Sequence, residues 1–221
     1  MRFAAFETST DRCSVALWCD GELASLEARA GERHAELALP ILERLLAEAG
    51  LAPRALDAVA FGAGPGSFTG LRIACALAQG LAFALARPVL GVSTLEALVE
   101  ECGEPRALAL LDARAGEVYW SAYERTAAGW REAVAPRCTP PSAVVLPPGE
   151  WAGCGPALAV YPELARRCAR AYPEVYPSAH AVARLAAPRL AAGEGSAADT
   201  AAPVYLRDRV ALTEHERARV R

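Results

Sequence analysis

An α/β architecture is what this 221-residue sequence predicts, on three observations. Strand-like and helix-like segments alternate along the chain. A glycine-rich turn joins a short apolar strand to a long apolar helix. A strand, acidic turn and strand near the N-terminus has a counterpart just past residue 103, a hint of internal duplication that extends the prediction to two related lobes.

The elements follow in order. Arg2 to Glu7 reads as a strand, Thr8-Ser9-Thr10-Asp11 as a turn, and Ser14 to Cys19 as the next strand. Asp20-Gly21 is a hairpin signal leading into a third strand, Glu22 to Ala28. A helix is expected from Arg33 to Ala49, stopped by Gly50, with Leu37, Ala38, Ile41, Leu42, Leu45 and Leu46 at helical spacing. Pro40 lies inside it and predicts a kink or an irregular first turn. Ala58 to Phe61 is a buried strand, followed by the glycine loop Gly62–Gly70 and a helix from Leu71 to Ala86. Val89 to Val92 is a short strand, and Ser93 with Glu96 makes a cap for a helix ending at Cys102.

A second unit is expected to begin at residue 103, giving an N-terminal lobe over 1–102 and a C-terminal lobe over 103–221. Ala107 to Leu111 and Glu117 to Tyr123 read as strands around the turn Asp112–Gly116. Prolines at 136, 140, 141, 147, 148 and 156 predict a loop-rich stretch. Helices are expected over Ala157–Ala171 and His180–Ala192, then a flexible connector at Gly193–Ser196. Pro203–Leu206 is the last apolar anchor before a charged tail that reads as disordered.

Composition narrows the function. The net charge of −3 offers no field for nucleic acid or an anionic membrane. No lysine occurs, which removes Schiff-base catalysis and the phosphate-gripping lysine of a P-loop. The three histidines are far apart in sequence, and the seven cysteines form no CxxC pair, so neither suggests zinc. Glu7 interrupts any signal-like start, and the cysteines read as reduced thiols of a cytoplasmic protein. Ile73 to Leu85, the most apolar stretch, is interrupted by Gln79 and reads as too short for a bilayer.

The glycine loop has two readings. Lying between a strand and a helix, it could present free amides to an anion. Yet Ser67 stands where a dinucleotide fingerprint needs its third glycine, and no lysine completes a P-loop. A tight turn with Ser67 or Thr69 capping the next helix explains the same residues and is preferred on chemistry alone.

The run Gly64-Pro65-Gly66-Ser67-Phe68-Thr69-Gly70-Leu71-Arg72 resembles the signature of the TsaB (YeaZ) family. Further matches are Thr8-Ser9-Thr10 with Cys13–Leu17, His34-Ala35-Glu36 with Leu39-Pro40-Ile41, Asp112-Ala113-Arg114 with Glu117-Val118-Tyr119, and Pro203–Arg207. The resemblance implies the two-lobed fold of actin, sugar kinases and heat-shock ATPases, which is ribonuclease H-like. It also implies a non-catalytic, cofactor-free partner of a TsaD-like enzyme, working with a TsaE-like ATPase on threonylcarbamoylation of the tRNA adenosine next to the anticodon. Contact with tRNA would be indirect, and a homodimer in isolation stays open. Glu7 and Arg114 depart from the kinases' aspartate and glycine, and His34 alone replaces a metal-binding histidine pair. The alternative is an ATP-dependent phosphotransferase of the same superfamily using the glycine loop.

An interface is also expected from the residues. The helix after the loop is apolar nearly all round, with Ala74, Ala78 and Ala82 forming a smooth strip. That strip, and the Leu37/Ile41/Leu45 stripe, could meet each other, their own sheet or a second subunit. The family resemblance favours the last, and it adds His34, Ala38 and Arg72 to the expected contact. His34 is otherwise read as an exposed or capping residue.

Overall fold

A computed structural model describes residues 1–31 and 33–207. The charged tail expected to be disordered lies outside these residues beyond Arg207. The chain forms two five-stranded mixed sheets. The first lobe begins with β1 (Arg2–Glu7), β2 (Arg12–Cys19) and β3 (Glu22–Arg29), an antiparallel meander. Asp20 and Gly21 take φ of 52° and 104°, the left-handed pair a tight hairpin requires. Then come α1 (His34–Glu48), β4 (Ala58–Gly64), α2 (Phe68–Leu85), β5 (Val89–Ser93) and α3 (Thr94–Cys102). Strands β4 and β5 add parallel to β1, giving the order β3-β2-β1-β4-β5.

The second sheet repeats this plan. Strands β6 (Arg106–Arg114), β7 (Glu117–Thr126) and β8 (Gly129–Thr139) form the meander. Strands β9 (Ala152–Cys154) and β10 (Arg170–Tyr172) add parallel to β6, in the order β10-β9-β6-β7-β8. Two short helices, α4 (Ala157–Val160) and α5 (Pro162–Ala165), cover one face of this sheet, and α3 covers the other.

Alternation along β1 builds both cores of the first lobe. Ala4 and Phe6 face α1 and α2, while Phe3 and Ala5 face α3 and the last helix, α6 (Ala179–Ala191). The chain therefore returns to the first sheet after β10. This corrects the expected boundary: the second lobe is built from residues 106–172, not from everything after residue 103.

Four local expectations also change. The helix expected over 157–171 is broken at Tyr161-Pro162, and its last residues form β10. The proline-rich stretch opens with an 11-residue edge strand, β8, in which Pro136 sits where no ladder donor is needed. Pro40 lies within a continuous α1, its ring on the exposed side. Helix α2 begins at Phe68 and has 18 residues with mean hydropathy 1.5, long and apolar enough by those measures to cross a membrane, contrary to the expectation. It lies instead along the first sheet, with Ala74, Ala78 and Ala82 in the core.

Candidate functional site

The glycine loop forms one wall of a cleft between the lobes, with a volume of about 1070 Å³. Ser9, Asp11, His34 and Gly66–Leu71 line it from the first lobe, Asp112, Arg114 and Tyr119 from the second, and Val204–Arg207 from the C-terminal segment. The loop itself is packed shut against the β1–β2 turn. A Cβ on Gly62 would fall 1.8 Å from Glu7 Oε2, and one on Gly70 only 1.9 Å from the Thr8 carbonyl oxygen. Thr8 Oγ1 donates to Gly70 O at 2.7 Å, and Ser67 N donates to Ser9 O at 2.8 Å. These glycines thus serve close packing of protein on protein. Ser67 caps α2, its hydroxyl accepting from Gly70 N at 3.4 Å, which settles the choice between Ser67 and Thr69. Gly64 and Pro65 are joined by a cis peptide.

Glu7 sits beneath the loop, 1 % exposed. Ser9 N donates to its Oε1 at 2.6 Å, and the Thr94 hydroxyl donates to Oε2 at 3.4 Å while accepting from Gly64 N at 3.1 Å. Burial pushes this carboxyl above the usual range, against the pull of the hydrogen bonds from Ser9 and Thr94. Its side chain does not line the cleft. Across the cleft, Asp112 Oδ1 accepts from Arg114 N at 2.9 Å, and the Arg114 side chain curls back to Asp112 Oδ2 at 3.3 Å. Arg114 has φ of 63°, so an arginine occupies the left-handed position that glycine usually takes.

His34 is buried, contrary to the exposed or capping role expected, and Nδ1 has no partner among the described residues. Desolvation lowers its pKa, which keeps the ring neutral at pH 7. Among the described residues no group of three His, Cys, Asp or Glu side chains converges to hold a metal.

The expected interface residues divide into two sets. Ala38, Leu45, Ala74, Ala78 and Ala82 are interior, packed with Phe6, Val59 and Phe61 of the lobe's own sheet. They cannot meet a second subunit without unfolding, so that part of the expectation is corrected. The reason is geometric: a helix lying on a sheet at close distance needs small residues on the sheet side. Leu37 and Ile41 are half-buried at the edge of this core, and Arg72 is exposed, its guanidinium 3.8 Å over the Phe68 ring. The outward face of α2 carries Ile73, Ala76, Gly80, Phe83 and Ala84, with Phe83 78 % exposed and Leu39 of α1 43 % exposed. The i, i+3, i+7 spacing of Ile73, Ala76 and Gly80 was the legible signal for this face.

Comparison with known proteins finds relatives that match from about two thirds to nearly all of the chain. The family model described as TsaD, tRNA N6-adenosine threonylcarbamoyltransferase, matches residues 28–214. The tRNA threonylcarbamoyladenosine biosynthesis protein TsaB of Escherichia coli is 35% identical, with 96% of each chain covered. The TsaB of Haemophilus influenzae is 39% identical over 63% of this chain and 65% of its own. The structure of YeaZ from Pseudomonas aeruginosa superposes with a TM-score of 0.88 at 41% identity, covering 93% of this chain and 99% of that one. The chain belongs to the TsaB (YeaZ) family.

Proposed function

We propose that this chain serves tRNA threonylcarbamoyladenosine formation as a non-catalytic subunit that binds a TsaD-like enzyme. The outer face of α2, together with the exposed Leu39 of α1, is the docking surface in this reading. The carrying observation is Phe83, 78 % exposed at the end of an apolar stripe that includes Ile73, Ala76 and Gly80. Single exposed hydrophobics are ordinary, but a contiguous stripe on one helix is the form that partner helices recognise. Small residues at 76, 80 and 84 would let a second helix approach closely while Phe83 supplies the anchor.

Two features of the cleft support a role without chemistry. The glycine loop is filled by Glu7, Thr8 and Ser9, and the Glu7 carboxyl is withdrawn beneath it. In this reading a TsaE-like ATPase and the tRNA act on the assembled pair. Depleting the chain in its host and quantifying the modified nucleoside by mass spectrometry is the direct test. Loss of threonylcarbamoyladenosine is expected, and unchanged levels overturn the proposal. The phosphotransferase alternative is separated by calorimetry with Mg-ATP, where the scaffold reading expects no tight binding.

A further inference from the structure

After α6 the chain comes back along α2 and crosses from the first lobe to the second. Ala201 O accepts from Gln79 Nε2 at 2.8 Å and from Cys75 Sγ at 3.6 Å. Val204 N then donates to Ala63 O at 2.7 Å, at the register shift in the ladder that joins β4 to β5. The neighbouring Gly64, with φ of 116°, lets this segment come close, since a Cβ there would lie 2.7 Å from Val204 O. The Tyr205 ring rests 5.6 Å from that of Phe68, and its hydroxyl accepts from Arg72 Nε at 3.2 Å. Arg207 ends the crossing in the other lobe. It donates to the Glu117 carboxylate on β7 and, at 3.4 Å, to the Arg114 carbonyl oxygen of the β6–β7 turn.

The placement of these contacts matters. Helix α3 joins the lobes on the face of the first sheet that carries α6, packing against both sheets at once. The C-terminal segment joins them on the opposite face, which carries α1 and α2. Two lobes connected on one side only can hinge; a second tie on the other side fixes the angle between them. Grip on the first lobe comes from a backbone hydrogen bond, the tilted contact of Tyr205 with Phe68 and the bond from Arg72 to the Tyr205 hydroxyl. Grip on the second comes from Arg207, whose own pKa rises through its bond to Glu117.

We propose that residues 203–207 are a strap across the mouth of the interlobe cleft, latched to the second lobe by the Arg207–Glu117 pair and setting the angle between the lobes. The strap also supplies part of the cleft wall, so the cleft's present shape depends on its being closed.

Hydrogen exchange on the full-length chain tests this. Three sites report: the Val204 amide on the strap, the Ser67 amide bonded to Ser9 on one margin, and the Arg114 amide bonded to Asp112 on the other. In Arg207→Ala all three should exchange roughly threefold to fivefold faster, as loss of a partly exposed ion pair allows. The double reversal Arg207→Glu with Glu117→Arg should restore them. Acceleration confined to 203–207, with both margins unchanged, would show a fraying end and overturn the strap. Should the variants fail to fold, a salt series on the unaltered chain gives the same reading. Exchange at all three sites should rise toward about 1 M salt, where an ion pair is screened, and salt-independent exchange overturns the latch.

Discussion

Replacing Gly70 with alanine asks directly whether the loop glycines exist for packing. The added methyl would lie 1.9 Å from the Thr8 carbonyl oxygen, at least about 1 Å inside a tolerable contact. Gly70 lies in the first turn of α2 and Thr8 in the β1–β2 turn, both backbone, so neither can swing aside as a side chain could. Overpacking of this kind costs about 1–3 kcal/mol. Moving the turn and the helix apart also breaks the bond from Thr8 Oγ1 to Gly70 O, 2.7 Å long, worth about 0.5–1.5 kcal/mol. The sum, about 3 kcal/mol at its centre, lowers the thermal midpoint by about 6–12 °C in a chain of this size. Gly80→Ala is the internal control, because it lies in the same helix with nothing within 4 Å of the added Cβ. There the change should stabilise by about 0.5–1 kcal/mol through helix propensity. Calorimetric scans of the two variants beside the parent chain decide the matter. A Gly70→Ala midpoint within about 2 °C of the parent, less than 1 kcal/mol of change, would refute the packing account.

Two further outcomes follow from the geometry. Glu7 favours its protonated form in the folded state, so the native chain binds more protons than the unfolded one above the ordinary value of 4.5. Stability should fall as pH rises through that window, and Glu7→Gln, which keeps the acceptor for Ser9 N, should flatten the slope and raise stability at pH 7 in denaturant titrations. Ala78→Glu places a carboxylate at a position 0 % exposed and should destabilise the isolated chain by several kcal/mol, seen as loss of soluble protein or of its cooperative unfolding transition.

Much of the first lobe was legible because its signals are local. Asp20-Gly21 marks the hairpin, Ser67 or Thr69 and then Ser93 mark helix starts, and Gly50 marks a helix end. The second lobe hid where packing overrides composition. Residues 129–139 carry Pro136 inside a proline-rich stretch, yet they form an edge strand because β7 offers a free ladder. The short helices α4 and α5 and strand β10 are too brief to leave a period in the sequence. Helix α6 was recognised, but its return to the first sheet is a long-range choice, made by Ala181, Val182 and Ala186 filling a face shared with Phe3 and Ala5. The candidate site divided in the same way. The glycine loop identified the family, while the burial of Glu7 and His34 depended on contacts with distant elements. The alanine strip misled for a physical reason: small residues suit any close approach, and here the lobe's own sheet takes them.

The outward face of α2 carries the proposed docking, and Gly80→Arg probes it with little risk to the fold, since the site is exposed and open. The arginine would hold a partner helix off the stripe between Ala76 and Phe83 and bury a charge if the helix still docked. Co-expression with the TsaD-like protein, followed by size exclusion with mass measurement, should give a heterodimer for the parent chain. For the variant it should give separate species, with affinity reduced at least about 100-fold, or 2.7 kcal/mol, and a melting midpoint of the isolated chain no lower than the parent's. A Gly80→Arg chain that still assembles at parental affinity would contradict the docking surface proposed for this family member.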